Sequence, residues 1–423
     1  MKIFTLMLAL IFYVLINFAC EPQDMPCVNP PCEPVDTTTP KPMIDTNIVW
    51  KHNADTNRNV CSSMVPVLYG NTVLFSRRTS GIPDGFMFFN KGTGELLHLY
   101  EDHISPEWKS GATYQYKQFC VVTDWYEVFL LDMESNRMIK RINLRNFGYD
   151  GRPRISGLAE WVYIPVEKLG HPKQEYTNTW LRWNMVTDQM EEVLTIVDQG
   201  TFAAGFESLA FWFKPNGDTV MIFQNRQYDF INSKRRIDLY AYNMRTLEIE
   251  WKVDSFTITG NTSVFPIIIE GDHLYFQGGN EAFCFSCVDG SLIWSQYFPG
   301  EGFFVSNAIL EEELYLLKGE TKKMYALDKK TGSIVWVNNE AGTSSSNLVY
   351  HKGYIYYETG QDGLGVLRRI RVSDGKVDWT LFPSTYKQFL HASYGPSGIV
   401  IDHETDLLYA NDRVYHLCIK LPK

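Results

Sequence analysis

The 423 residues carry 39 basic against 49 acidic side chains, a formal charge of −10, and 14% of them are aromatic. This acidic balance excludes a nucleic-acid partner, because binding nucleic acid needs a basic surface. The local basic clusters Arg77-Arg78 and Lys234-Arg235-Arg236 read as solvated loop charges.

Met1-Lys2, the sixteen uncharged residues Ile3 to Phe18, and Ala19-Cys20 read as a lipoprotein signal peptide over 1–19, with Cys20 as the lipidated residue. The apolar run is short of the ~20 residues a spanning helix needs. Asn17 and Phe18 depart from the usual lipobox, so an uncleaved N-terminal anchor is the alternative. Cleavage would remove Lys2 and leave 38 basic against 49 acidic residues, a charge of −11. Residues 20–46 are rich in Pro, Thr and acidic side chains without periodicity, as in an extended tether. Within it, Cys27 and Cys32 are placed to close a small disulfide in an oxidising compartment.

From residue 47 to 423 the chain repeats, and the clearest copy is Ala326-Leu327-Asp328-Lys329-Lys330-Thr331-Gly332-Ser333-Ile334-Val335-Trp336. Asp328 is placed to accept backbone N–H groups two and three residues on, and Gly332 supplies the positive φ that closes the turn. Weaker copies start at Asn90, Asp132, Asn184, Asn243, Ser286 and Arg371, spaced 42–59 residues apart. Gly94, Gly290 and Gly375 stand in the Gly332 place, and Trp251, Trp294 and Trp379 in the Trp336 place. His98, Lys140 and Glu192 fill the Trp place in the weak copies. Two strands precede each regular copy, so one unit is a four-stranded propeller blade. Seven blades are expected at about 65–100, 112–145, 154–196, 204–254, 262–297, 305–338 and 346–382. Residues 392–423 supply three more strands. Asn47-Ile48-Val49-Trp50 resembles Ser333-Ile334-Val335-Trp336 and is expected to complete an eighth blade, closing the ring and removing its open edges. The alternative is seven blades.

Ala-x-Asp-x-x-Thr-Gly-x-x-x-Trp resembles the tryptophan-docking repeat of the PQQ-like β-propellers, a family that includes quinoprotein dehydrogenases and outer-membrane assembly lipoproteins of the BamB type. The match is complete at 326–336, good at 284–294 and 369–379, and degraded elsewhere. The resemblance implies an eight-bladed all-β propeller.

Blades three and four hold extra residues at Val166–Thr179 and Gln224–Arg235, both between the second and third strands. These connections share one face of the disc with the blade-to-blade connectors. His171, Lys173, Tyr176, Trp180, Arg226, Tyr228 and Phe230 are therefore candidate binding-loop residues, against the plainer reading that long loops tolerate drift. No metalloprotease His pair, nucleophile elbow or phosphate-cradling loop occurs, and the nine His have no metal-ligand spacing. Cys284-x-x-Cys287 sits on the repeat frame without a second pair or a nearby His, which reads as structural rather than zinc-binding. Quinoprotein dehydrogenases of this family typically carry a vicinal Cys-Cys pair and a calcium site, and this chain has no Cys-Cys. The expectation is a non-catalytic, cofactor-free, lipid-anchored scaffold of the cell envelope and outer membrane. By resemblance to BamB-type proteins it would bind envelope proteins of the outer-membrane β-barrel assembly machinery. The alternatives are a surface lipoprotein recognising a glycan or peptide and a quinone-dependent dehydrogenase.

Overall fold

The computed structural model describes residues 47–53, 64–79, 82–101, 113–123, 126–151, 154–170, 175–199, 202–229, 234–257, 266–361, 364–383, 398–412 and 414–423. Cys20, the tether with Cys27 and Cys32, and His171, Lys173 and Phe230 lie outside them.

Asp45–Lys423 forms eight antiparallel sheets, one per repeat, with strands in chain order from the inside outward. Blade six shows the logic, with strands Ile309–Glu311, Leu314–Lys318, Met324–Asp328 and Ile334–Asn338. Its second and third strands are covered on both faces by neighbouring blades, which is why Tyr315 to Lys318 and Met324 to Leu327 are almost continuously buried. The outer strand has only its Trp336 side against a neighbour, so Ile334 and Val335 are exposed. First strands of successive blades meet around the ring axis. Two of these seams are stitched by asparagine: Asn307 Oδ1 accepts Leu348 N–H at 2.8 Å, and Asn347 Oδ1 accepts Ile399 N–H at 2.9 Å.

The eighth blade is composite. Val400–Asp402, Leu407–Asn411 and Tyr415–Lys420 are completed by Ile48–Asn53, which pairs antiparallel to Tyr415–Lys420 with Trp50 opposite Cys418. Trp50 Nε1 and the Tyr409 hydroxyl both donate to the Lys91 carbonyl of blade one, at 2.9 and 3.0 Å. The two ends of the chain thus share one sheet, and that sheet docks on the first blade.

Three local expectations are corrected. Most of the described extra residues of blades three and four lie on lengthened strands rather than in loops. Trp161–Lys168 pairs with Glu175–Asn184, and Thr219–Asp229 with Lys234–Asn243, over their full overlap. Ladder pairing satisfies the added backbone groups, which a loop would leave to water. Blade three also gains a strand, Tyr149–Gly151, beside Trp161–Lys168. Arg77 is not a solvated loop charge: it lies buried on Thr72–Thr79 and donates to Glu101 at 2.5 Å. Lys234-Arg235-Arg236 likewise starts a strand.

A feature absent from the repeat motif is a β-bulge between the third and fourth strands of every blade. In seven blades it falls at one place in the frame, between Ala326 and Leu327 of blade six, for example, with Trp336 opposite Ala326 and Ile334 opposite Leu327. One extra outer-strand residue is extruded there, and the local twist increases. In blade three the bulge moves two residues along, so Glu192 pairs with Leu181 and occupies no docking position.

Candidate functional site

The repeat builds the scaffold on which any site must sit. Asp328 Oδ1 accepts Lys330 N–H and Thr331 N–H at 3.0 and 2.8 Å and the Thr331 hydroxyl at 2.9 Å. These bonds, led by the Thr331 hydroxyl, hold the Asp328 carboxyl below its usual range. The tryptophan of one blade then lies over the turn glycine of the next. A Cβ on Gly332 would sit 2.5 Å from the Trp294 ring, and one on Gly375 would sit 2.5 Å from Trp336. Gly290 meets Trp251 and Gly94 meets Trp50 in the same way. Each indole N–H donates to a carbonyl of the neighbouring turn: Trp251 to Cys287 at 2.8 Å, Trp294 to Lys329 at 3.0 Å, and Trp336 to Val372 at 2.9 Å. Trp379 packs with Ile419 and Leu421 of blade eight. The junction of blades two and three replaces this pair with charge. Lys140 takes the tryptophan place and forms an ion pair with Asp188, which stands in the glycine place and accepts Trp183 Nε1–H at 3.0 Å.

The two faces of the ring differ. Third-to-fourth-strand turns such as Asp328–Gly332 lie on one face, while second-to-third connections and blade-to-blade connectors lie on the other, the connector face. Just beneath the connector face, the fifth residue from the start of the second-strand pairing is a buried polar group in seven blades: Ser76, Thr123, Gln224, Gln277, Lys318, Glu358 and Asn411. Blade three has Pro165 there. Gln277 Nε2 donates to the Ser306 carbonyl at 2.5 Å, and Glu358 Oε2 accepts Gly398 N–H at 3.3 Å, each reaching the next blade. Among the described residues, neither amide atom of Gln224 has a partner, and neither does Glu358 Oε1.

Two members of this layer are ionisable groups held away from their charged forms. Burial pushes the Lys318 ammonium down to about 7, with Glu301 opposing the shift and Arg368 adding to it. Burial pushes the Glu358 carboxyl well up, and Asp412 adds to this, while backbone N–H groups of Gly398 and Asn411 oppose it. Glu301 is itself buried and accepts the Tyr325 hydroxyl at 2.8 Å and Thr321 N–H at 3.0 Å. Such groups cost stability, which makes the layer a candidate place for function.

Above Lys318, blades six and seven enclose a cleft of about 410 Å³ lined by Lys322, Asn339, Glu340, Gly342, Gly360, Gln361 and Arg368. Arg368 is only 5% exposed; it donates to the Glu340 carbonyl and Gln361 Oε1, and its Nε has no partner among the described residues. The lining is polar, with two cations, one carboxylate and two glycines that bring backbone to the surface. It suits a polar segment held by hydrogen bonds and charge, and it offers no nucleophile with an adjacent base.

Of the candidate loop residues, Trp180 and Arg226 have described side chains, and neither lines this cleft. Trp180 is buried between blades three and four, its ring stacked on Phe206 at 5.3 Å. Arg226 is committed to buried Glu207, at 3.0 Å. Tyr176 and Tyr228 fall on strands Glu175–Asn184 and Thr219–Asp229. The cleft and the polar layer went unnoticed in the sequence because each blade uses a different polar residue there.

Among the described residues, no three His, Cys, Asp or Glu side chains are gathered to hold a calcium ion beside a quinone. The chain has no vicinal cysteine pair, and Cys120, Cys284, Cys287 and Cys418 are separate buried thiols. Burial pushes Cys284 up to about 11 and the other three up to about 12. Asp132, Asn184, Asn243 and Asp328 spend their side-chain oxygens on turn N–H groups.

Residues 235–388 match the family model described as outer membrane protein assembly factor BamB. No curated protein sequence matches the chain significantly. Among solved structures, BamB from Moraxella catarrhalis is 10% identical with a TM-score of 0.54, covering 88% of this chain and all of its own. A europium-containing methanol dehydrogenase is 12% identical, TM-score 0.58, covering 87% of this chain and 85% of its own. The quinohemoprotein alcohol dehydrogenase from Comamonas testosteroni is 9% identical, TM-score 0.59, covering 89% and 76%. At such identities these structures share the fold, with and without redox chemistry. The matched segment holds Trp251, Trp294, Trp336 and Trp379, the docked half of the ring, and over that segment the chain is similar to the PQQ-like β-propellers.

Proposed function

We propose that the chain is a lipid-anchored, non-catalytic scaffold of the cell envelope that holds a protein partner on its connector face, in the manner of an outer-membrane protein assembly factor. The observation that supports this reading is the cleft between blades six and seven, whose lining residues all fall within the 235–388 segment that matches the BamB family model. Its charged, backbone-rich lining sits on a rigid ring, a usual place for a recognition surface. Cys20 would carry the lipid that keeps the ring at the membrane.

The test is a pull-down from envelope extract with the parent chain, Lys322→Glu and Cys20→Ser. The parent should fractionate with membranes and enrich the barrel-assembly machinery. Lys322→Glu, an exposed substitution in the cleft, should cut that enrichment several-fold without changing the melting temperature. Cys20→Ser should be released as a soluble protein. No enrichment by the parent, with binding on a glycan array instead, would favour a surface lipoprotein that recognises sugars. Stoichiometric binding of a quinone with calcium would favour the dehydrogenase reading.

A further inference from the structure

On the face opposite the cleft, the first-to-second-strand turn of blade eight is longer than its counterparts. Four residues, 403–406, separate Val400–Asp402 from Leu407–Asn411, where two residues suffice at 271–272, 312–313 and 352–353. The longer turn reaches the corresponding turn of blade seven. There His403 Nδ1 stands 2.9 Å from His351 Nδ1, with ring centroids 4.9 Å apart and ring planes at 53°. The other nitrogen of His351, Nε2, lies 2.8 Å from Asp406 Oδ1, and Lys352 Nζ donates to the same oxygen at 2.6 Å.

We propose that His351 and His403 form a solvent-open site for a divalent transition ion of tetragonal preference, copper(II) or nickel(II), with Asp406 as the positioning carboxylate. The donor span favours this class. Two imidazole nitrogens bound cis, at right angles, with bonds of about 2.05 Å stand about 2.9 Å apart, whereas a tetrahedral zinc with the same bonds spreads them to about 3.3 Å. Asp406 fixes the tautomer. Its Oδ1 accepts Nε2–H from His351, which leaves the Nδ1 lone pair free to bind. His351 is buried and held in place, while His403 is exposed and its ring is reachable from solvent. Without metal, His403 Nδ1–H donates to His351 Nδ1. On binding, His403 takes its Nε2–H tautomer, so the neutral rings release no net proton. Among the described residues no three His, Cys, Asp or Glu side chains converge as a metal cluster, so water completes the coordination shell.

The test uses the full chain, stripped with a chelator and titrated with nickel(II) by calorimetry. The parent should bind one equivalent that His403→Gln weakens at least about tenfold with an unchanged melting temperature, and Asp406→Asn should weaken it by about tenfold as well. The copper(II) resonance spectrum should show coupling to two imidazole nitrogens in the parent and one in His403→Gln. Equal nickel affinity in the parent and His403→Gln, or a copper spectrum indifferent to that substitution, would overturn the site and leave a pair of histidines sharing a proton.

Discussion

Glu358 shows what a single residue contributes in this ring. Its carboxyl is buried, bonded to Gly398 N–H through one oxygen, and raised far above the ordinary carboxylate range. A group whose folded pKa lies above its unfolded value stabilises the fold below the unfolded pKa, about 4.3 for glutamate, and loses that contribution as pH rises. As pH rises, the unfolded chain gains by ionising Glu358 before the folded chain does. Glu358→Gln keeps the acceptor for Gly398 and removes the titration. Denaturant melts should find the variant no more stable than the parent near pH 4 and increasingly more stable toward pH 7. A difference that does not change with pH would show that Glu358 is ionised in the folded ring. This residue was not legible in the sequence. Its counterparts share burial and position but not residue type. Their distance to the turn also varies with hairpin length: Lys318 lies ten residues before Asp328, whereas Glu358 lies thirteen before Arg371.

At the scale of the blade, turn chemistry is local and was legible, while register is a property of pairing and was not. Asp328, Thr331 and Gly332 act within five residues, so their pattern survives in the sequence. The bulge that aims Trp336 at the next blade needs two strands to define it. The residues it extrudes, including Leu97, Ile139, Ile293 and Val335, account for part of the exposed apolar rim, and the twist they impose makes each outer edge a poor template for pairing with another chain. The lengthened strands of blades three and four were read as loops for a related reason. Trp180 looks exposed on such a reading until the neighbouring blade is placed against it. The docking tryptophans also differ in depth: Trp294 is 8% exposed, whereas Trp336 is only partly buried. Trp294→Ala should therefore cost about 3–5 kcal/mol and Trp336→Ala less, as read from denaturant midpoints. If the order is reversed, depth at the junction does not set the strength of the clasp.

Residues 47–423 form a ring whose last sheet borrows its outer strand from residues 48–53, so the ring closes by strand pairing. Repeat period foretold this architecture because seven copies of one unit, with strands left over at both ends of the repeat, leave few alternatives. Function was less legible, since the same ring carries assembly factors and dehydrogenases alike and only side chains at its faces distinguish them. On the proposed function, recognition belongs to the connector face, and the turn face is left to scaffolding and the histidine pair. The most direct test is photo-crosslinking in intact cells, with the reactive residue placed at position 322 in the cleft or at position 330 in the exposed turn of the same blade. The account predicts a discrete adduct with one envelope protein from 322 and none from 330. An adduct from 330 with nothing captured at 322 would contradict it.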